Sequence, residues 1–373
     1  MKITYILNRK NKSPILKYFF LTLIVLFNTI NTLQAQAPVQ YRLINADHLQ
    51  HFKFIDENVV HLQGNVHFFY NEIEFLAEHA EIYESQEYVT LKGNVIIVQD
   101  SLRMTSNIAQ YYKKSEYLRA EGRVVLTENK DTKILRQSTS NNAMHYRDRG
   151  EFILQGNVYA IDFSDSLHAR AGYAIYNQQT GYGYLIQRPY IWKAGSDSLA
   201  LFAEKIEYFE ENKKMVASFQ VITQNETIKA TSDFLIYYID EGKMIYIGNP
   251  KFYSEDGDGN ADLITVYLDK KEINEILLDK NCYIKFNSED SVEKENWVSS
   301  DYMTLIYKNK KPSVFNAYEN VKSFFLQEPS NNKSLMNNNV EGDKLILHFN
   351  SDSQIETLNM ENNIKGVYRF DKK

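Results

Sequence analysis

Four short stretches decide the fold: Leu62-Gln63-Gly64-Asn65-Val66, Leu91-Lys92-Gly93-Asn94-Val95, Ala120-Glu121-Gly122-Arg123-Val124 and Leu154-Gln155-Gly156-Asn157-Val158. Their valines are spaced 29, 29 and 34 residues apart. A second signature lies about a dozen residues upstream of three of them: Ala80-Glu81-Ile82-Tyr83, Ala109-Gln110-Tyr111-Tyr112 and Ala143-Met144-His145-Tyr146. Weaker copies continue, among them Tyr173-Ala174-Ile175-Tyr176, Phe234-Leu235-Ile236-Tyr237 and Leu305-Ile306-Tyr307, and Gly248-Asn249 repeats the Gly-Asn pair before Pro250. A period of about 30 residues marks units too small to bury their own apolar face, so they must stack on one another. About ten such units are legible, regular to about residue 250 and looser beyond.

Inside a unit the period is two. Val60, Leu62, Gly64, Val66, Phe68 and Tyr70 alternate with His61, Gln63, Asn65, His67 and Phe69, the signature of a strand with one buried face. The following units place Val89, Leu91, Val95 and Ile97, then Leu118, Val124 and Leu126, then Phe152, Leu154 and Val158 on the same face. No window sustains a 3.6-residue period. The expected class is therefore all-β: an elongated stack of β repeats with two facing sheets and an apolar seam between them. Short turns such as Glu84–Glu87 and Arg147–Gly150 favour hairpins over parallel coils. By phase, Gly64, Gly93, Gly122 and Gly156 also fall on the apolar face. An inward glycine weakens a strand, so it implies a bulge repeated in every unit or close approach by another backbone or an apolar ligand.

Composition narrows the function. The 373 residues carry 42 Lys+Arg against 48 Asp+Glu, a net charge of -6, which argues against a nucleic-acid groove. A single cysteine, Cys282, excludes a disulfide framework or a Cys-based zinc site within one chain. The 27 Tyr and 21 Phe favour strands. Residues 1–35 order a basic segment (Lys2, Arg9, Lys10, Lys12, Lys17), an apolar run (Tyr18 to Phe27) and a small-residue end at Ala35. That is the order of a secretory signal peptide cleaved near Ala35. Its ten-residue apolar run is half of the ~20 residues that a membrane-spanning helix needs. Cleavage would remove five positive charges and no negative one, leaving 37 against 48, or -11. The expected organisation is residues 1–35 as signal peptide, 36–250 as the repeat domain, and 251–373 as a degenerate continuation or a second domain of the same kind.

The runs Leu76-Ala77-Glu78-His79-Ala80-Glu81-Ile82-Tyr83 to Leu91-Lys92-Gly93-Asn94-Val95, and Thr139-Ser140-Asn141-Asn142-Ala143-Met144-His145-Tyr146 to Val158, resemble the OstA/LptA family of periplasmic lipopolysaccharide-transport proteins. The strong matches cover about residues 44–160 and weaker ones reach about 250. The resemblance implies a twisted β-jelly roll whose seam shelters lipid A acyl chains. It also implies partners: lipopolysaccharide, other transport components at the inner and outer membranes, and head-to-tail copies of itself. It implies a periplasmic location and no catalytic residues. The expected lipid-facing set is Leu62, Val66, Phe68, Val89, Leu91, Val95, Ile97, Leu118, Val124, Leu126, Phe152, Leu154 and Val158. The chain has about twice the repeats of a single-roll bridge. It lacks the long series of amphipathic strands of an outer-membrane barrel.

Other constellations lead elsewhere. Five histidines (His48, His51, His61, His67, His79) lie early, without the three or four converging ligands of a metal site, and read as solvated surface. Asp256-Gly257-Asp258-Gly259-Asn260-Ala261-Asp262 fails the EF-hand pattern at Ala261 and Tyr267 and reads as an acidic turn between units. No Ser/His/Asp, Cys/His, phosphate-loop or HExxH pattern occurs, so the reading is non-enzymatic, with no cofactor, metal or nucleic acid. The competing class is a structural or protein-binding β-solenoid of the cell envelope with no lipid cargo, which predicts a dry, fully packed seam. A polysaccharide-active β-helix enzyme is a third class; its carboxylates would have to cluster in an outer groove.

Overall fold

A computed structural model describes residues 41–130, 133–164, 166–193, 199–255, 257–269, 272–286, 296–327 and 336–370. The expected signal segment 1–35 therefore lies outside the described residues. The described chain is almost wholly antiparallel β-sheet, interrupted by one 3-10 turn at Arg147–Arg149.

Strands β1 (Tyr41–Asn45) and β2 (His48–Lys53) both lie on β3 (Asn58–Tyr70), one on each half of it. Then come β4 (Ile73–Tyr83), β5 (Tyr88–Gln99), β6 (Leu102–Tyr112), β7 (Tyr117–Lys130), β8 (Lys133–Tyr146), β9 (Glu151–Asp162) and β10 (Leu167–Asn177), each hydrogen-bonded to the one before. The next layers are split in two: β11 (Tyr182–Ile186) with β12 (Tyr190–Lys193), and β13 (Ala200–Phe202) with β14 (Lys205–Phe209). β15 (Lys214–Gln224) and β16 (Ile228–Tyr238) are continuous, and two split layers follow: β17 (Lys243–Ile247) with β18 (Lys251–Ser254), and β19 (Gly257–Asn260) with β20 (Leu263–Asp269). The stack closes with β21 (Glu272–Phe286), β22 (Asn296–Lys308), β23 (Lys311–Gln327), β24 (Met336–Phe349) and the split layer β25 (Ile355–Glu361) with β26 (Lys365–Phe370). Six layers are pairs of strands, so the 26 described strands make 20 rungs, or ten hairpin units. Pairing runs past residue 250 without a break, through β17 to β20 and β18 to β19.

Each rung bends once, and the bend divides the sheet into two leaves. In β3, Gln63 faces His79 and Val66 faces Ala77, so Gly64 and Asn65 together oppose Glu78. Two residues against one is a β-bulge, which kinks the strand. Both bulge residues are left-handed, at φ +74 and +47. Such consecutive left-handed pairs recur at Gly93-Asn94, Gly122-Arg123, Gly156-Asn157, Gln187-Arg188, Phe219-Gln220, Gly248-Asn249, Lys280-Asn281, Glu319-Asn320 and Asn362-Asn363. That gives one corner pair per unit over all ten units. One leaf carries the half-rungs typified by 58–63 and 117–121, the other those typified by 66–70 and 124–130.

The leaves face one another across a single hydrophobic cluster that runs from Leu62 to Leu347. Rings meet across the gap: Tyr111 of one leaf lies 5.7 Å from both Tyr70 and Phe75 of the other. Further along, Phe286 lies 5.7 Å from Phe315 and 6.4 Å from Phe349, and Thr223 shares a 2.8 Å hydrogen bond with Tyr246. The architecture is the all-β jelly roll of the sequence reading, built as one sheet folded at its corners.

The acidic stretch before Asp262 differs from expectation. Gly257–Asn260 is strand β19, paired with β18 and β21. Asp262 stands at a corner, where it accepts a 3.0 Å hydrogen bond from Asn281 Nδ2. The residues are part of a rung, not a turn between units, because the repeat continues through them; Asp256 lies outside the described residues.

Candidate functional site

The seam between the leaves is the concave feature that the repeats build. Of the thirteen residues expected to line it, twelve are buried, from 0% exposed at Val89 and Leu91 to 7% at Leu126. Leu118 is half-buried and packs against the same cluster. Register explains their common face: Leu62 opposes Ala80, Leu91 opposes Ala109, and Leu154 opposes Ala143 and Ala174. A large side chain on one rung meets alanine on the next, so the interior interdigitates.

The glycines behave otherwise. A Cβ on Gly64 would run into the Asp47 side chain, on Gly93 into Glu78, on Gly122 into Asn107 and on Gly156 into Asn141. These are polar corner residues of neighbouring rungs. The glycines therefore do not present space to the apolar interior, because the bulge turns them toward the corner. The corner is tied by amide donors: Asn94 Nδ2 to Glu78 at 2.6 Å, Asn65 to Asp47 at 3.0 Å, Gln220 to Glu204 at 2.8 Å, Asn320 to Asp301 at 2.6 Å and Asn363 to Asp343 at 2.7 Å.

Among the described residues, cavities open between the leaves. The first, about 30 Å³, is lined on one leaf by Leu118, Ala143, His145 and Phe152 and on the other by Ile97, Leu102, Met104 and Leu126. Four expected seam residues, Ile97, Leu118, Leu126 and Phe152, thus come together around one space. His145 stacks on Phe152 at 3.7 Å between ring centres. Its burial, helped by the positive charge of Arg147, pushes the imidazole down to about 3, so it is neutral at physiological pH. The second cavity is larger, about 110 Å³. Met244, Tyr246, Ile264, Val266 and Ile273 face Ile228, Ala230 and Phe252 across it. Sequence reading missed this one. Its units carry no Leu-x-Gly-Asn-Val motif except the altered Gly248-Asn249-Pro250; the usable signal was the Ile/Val/Met alternation of 244–246 and 264–268.

Sequence reading also missed a buried ion cluster. Glu128, Arg136 and Asp162 are 5%, 6% and 0% exposed. Arg136 donates from Nη1 to Glu128 at 3.0 Å and from Nε to Asp162 at 3.2 Å. Desolvation raises the Glu128 carboxyl, Arg136 counters it, and Asp162 adds to the rise. Of the early histidines, His67 pairs with Glu74 at 2.8 Å and His61 packs on Phe52.

The family model described as "LptA/(LptD N-terminal domain) LPS transport protein" matches residues 43–182 and 137–272, together more than half of the 373 residues. A search of curated proteins returns no match. Among solved structures, the chain is similar to one titled LptH, the LptA-homologous periplasmic component of the lipopolysaccharide transport device of Pseudomonas aeruginosa. The identity is 16% and the TM-score 0.28, over 31% of this chain and 82% of that one.

Proposed function

The chain belongs to the LptA/LptD N-terminal-domain family of LPS transport proteins, and from that premise we propose that it carries lipid A acyl chains in its seam as a periplasmic bridge between the two membranes. The observation that carries this reading is the conjunction of Ile97, Leu118, Leu126 and Phe152 around a cavity between two apolar leaves. Burial of acyl surface supplies about 25 cal/mol per Å². The chain is net acidic, with 42 Lys+Arg against 48 Asp+Glu, a poor match for an anionic headgroup, so in this reading the apolar term carries affinity. Residues 1–35 would direct export and be removed near Ala35. Among the described residues no helix is long and apolar enough to cross a membrane.

Both ends of the stack suit assembly. β2 is exposed along its whole length, and Leu49 and Phe52 stand 56% and 39% exposed. At the far end Val367 and Tyr368 stand 56% and 55% exposed. Unpaired edges are templates for strand addition, so we assign these rungs to head-to-tail copies or to transport components at either membrane.

A photoreactive residue at Leu118 or Leu102 should capture lipopolysaccharide in cells, while Lys92 and Gln155, exposed on the outer face, should not. Capture from the outer positions alone would sink the proposal. A second reading, a dry envelope scaffold with no cargo, is favoured by the near-complete burial of twelve of the thirteen seam residues. It predicts no capture from Leu118.

A further inference from the structure

The larger cavity holds a polar pair at depth. Ile228, Ala230, Ile264, Val266 and Ile273 give it hydrocarbon walls on both leaves. Its lining also includes Lys251, which is exposed, and Leu199, 42% exposed. At the buried extreme of the same lining stand Thr223 and Tyr246, 2% and 4% exposed. Thr223 lies on β15 in one leaf and Tyr246 on β17 in the other, and their oxygens are 2.8 Å apart. Valine and phenylalanine would fill the same space with no hydroxyl to bury, and burying a hydroxyl is costly unless it is hydrogen-bonded. Two hydroxyls carry two O–H donors, and the bond between them uses one. Among the described residues the further partner is the thioether of Met244, 4.0 Å from the Tyr246 oxygen, a weak acceptor. The pair therefore has hydrogen-bonding capacity to spare, facing a cavity.

The Thr223–Tyr246 bond bridges the two leaves, so an acyl chain that enters the seam here has to part it. A plain methylene chain leaves both hydroxyls bare in hydrocarbon. A chain that bears a hydroxyl can enter the bond, accepting from one side chain and donating to the other, so that nothing polar is stranded. We propose that Thr223 and Tyr246 form a specificity latch that admits β-hydroxylated acyl chains in preference to plain ones. An apolar cavity of ~150 Å³ takes up a guest of benzene size; at about 110 Å³ this one takes the few carbons around the hydroxyl. A β-hydroxyl sits close to the carbonyl end of its chain, which suits a pair whose cavity reaches the exposed Lys251 and Leu199. The inference rests on lipid carriage as proposed above and adds a basis for choosing the cargo. Lipid A carries β-hydroxyacyl chains and membrane glycerophospholipids carry plain ones, so the latch keeps bulk membrane lipid from filling the seam. Exchanging one hydrogen bond for others of the same kind changes little net free energy, so the latch selects without trapping.

The test uses the full exported chain with a photoreactive residue at Ile273, titrated with decanoate and with β-hydroxydecanoate. A wholly apolar site prefers decanoate, because burying an unpaired hydroxyl costs free energy; the latch reverses the order. In the wild-type background β-hydroxydecanoate should half-saturate capture at a concentration about tenfold below that of decanoate. Combining Thr223→Val with Tyr246→Phe, which keeps the packing volume, should put decanoate ahead. Cooperative thermal unfolding of the double variant verifies its fold, and the wild-type order stands as a test without it. Decanoate ahead in the wild-type background, or a hydroxyl preference that survives in the double variant, overturns the latch and leaves lipid carriage standing. Capture of neither acid, with purified lipid A still captured from Leu118, does the same. Lipid A captured from neither Leu118 nor Ile273 overturns both.

Discussion

At the scale of single residues the corners are the most constrained positions. Gly93 has φ +79, and a Cβ there would meet the Glu78 carboxylate. A left-handed conformation costs an ordinary residue roughly 1–2 kcal/mol, and displacing Glu78 also strains the 2.6 Å bond from Asn94. Gly93→Ala should therefore destabilise by about 2–3 kcal/mol, read as a lower urea midpoint at unchanged m-value. The inward phase of the glycines made a repeated bulge legible, and glycine and asparagine are residues that tolerate its left-handed conformation. The corners at Phe219-Gln220, Lys280-Asn281 and Glu319-Asn320 were not, since their first residue is one that sequence reasoning never assigns to a left-handed site. A subtler signal was present: an acid 16 to 20 residues before the corner amide, as in Glu204 to Gln220 and Asp343 to Asn363.

His145 makes a pH prediction at the same scale. Its pKa is depressed to about 3 in the folded chain by burial and by Arg147, against ~6.5 when unfolded. The unfolded chain therefore binds the extra proton between those values, and stability falls as pH drops from about 6.5 toward 3. The slope is at most about 1.4 kcal/mol per pH unit, reduced by the ring's partial exposure. His145→Phe should flatten this part of a stability–pH curve measured by urea unfolding; an unchanged slope would locate the acid sensitivity elsewhere.

At the scale of elements, alternation predicted which face of each strand is buried, and it did so through the bend. The two-residue bulge preserves the sequence phase, so Leu62 and Val66 still face one interior although they belong to different leaves. What the period could not show was the bend itself, because it is a backbone event with no hydropathy signature. Nor could it place Glu128, Arg136 and Asp162. A charged residue at an inward position reads as an error in the pattern until its cross-strand partners are known. Their pairing implies an asymmetry. Arg136→Met should cost about 3–5 kcal/mol by stranding two buried carboxylates, whereas replacing all three with Leu, Met and Leu should be neutral or stabilising. Thermal melts of the two variants side by side would show it, and equal losses would mean that the cluster acts as ordinary packing.

At the scale of the molecule the ladder runs through ten units from Tyr41 to Phe370, each resting only on its neighbours. Stability in such a stack is nearly a sum of units and interfaces, so its ends are the weakest points. Both ends leave apolar side chains exposed, at Leu49, Phe52, Val367 and Tyr368. If these edges pair head to tail, the contact is heterologous and leaves a free edge at each end, so the assembly stays open and grows with concentration. Removing the final rung, residues 355–370, would not blunt growth, because β24 would become a new edge. A proline should do so. Val367→Pro puts a residue without an N–H into the exposed terminal strand, opposite Asn339 of β24. Sedimentation velocity over a range of concentrations should then give a monomer for Val367→Pro where the wild-type chain forms progressively longer species. A wild-type chain that stays monomeric at every concentration would assign the two edges to different partners, one at each membrane.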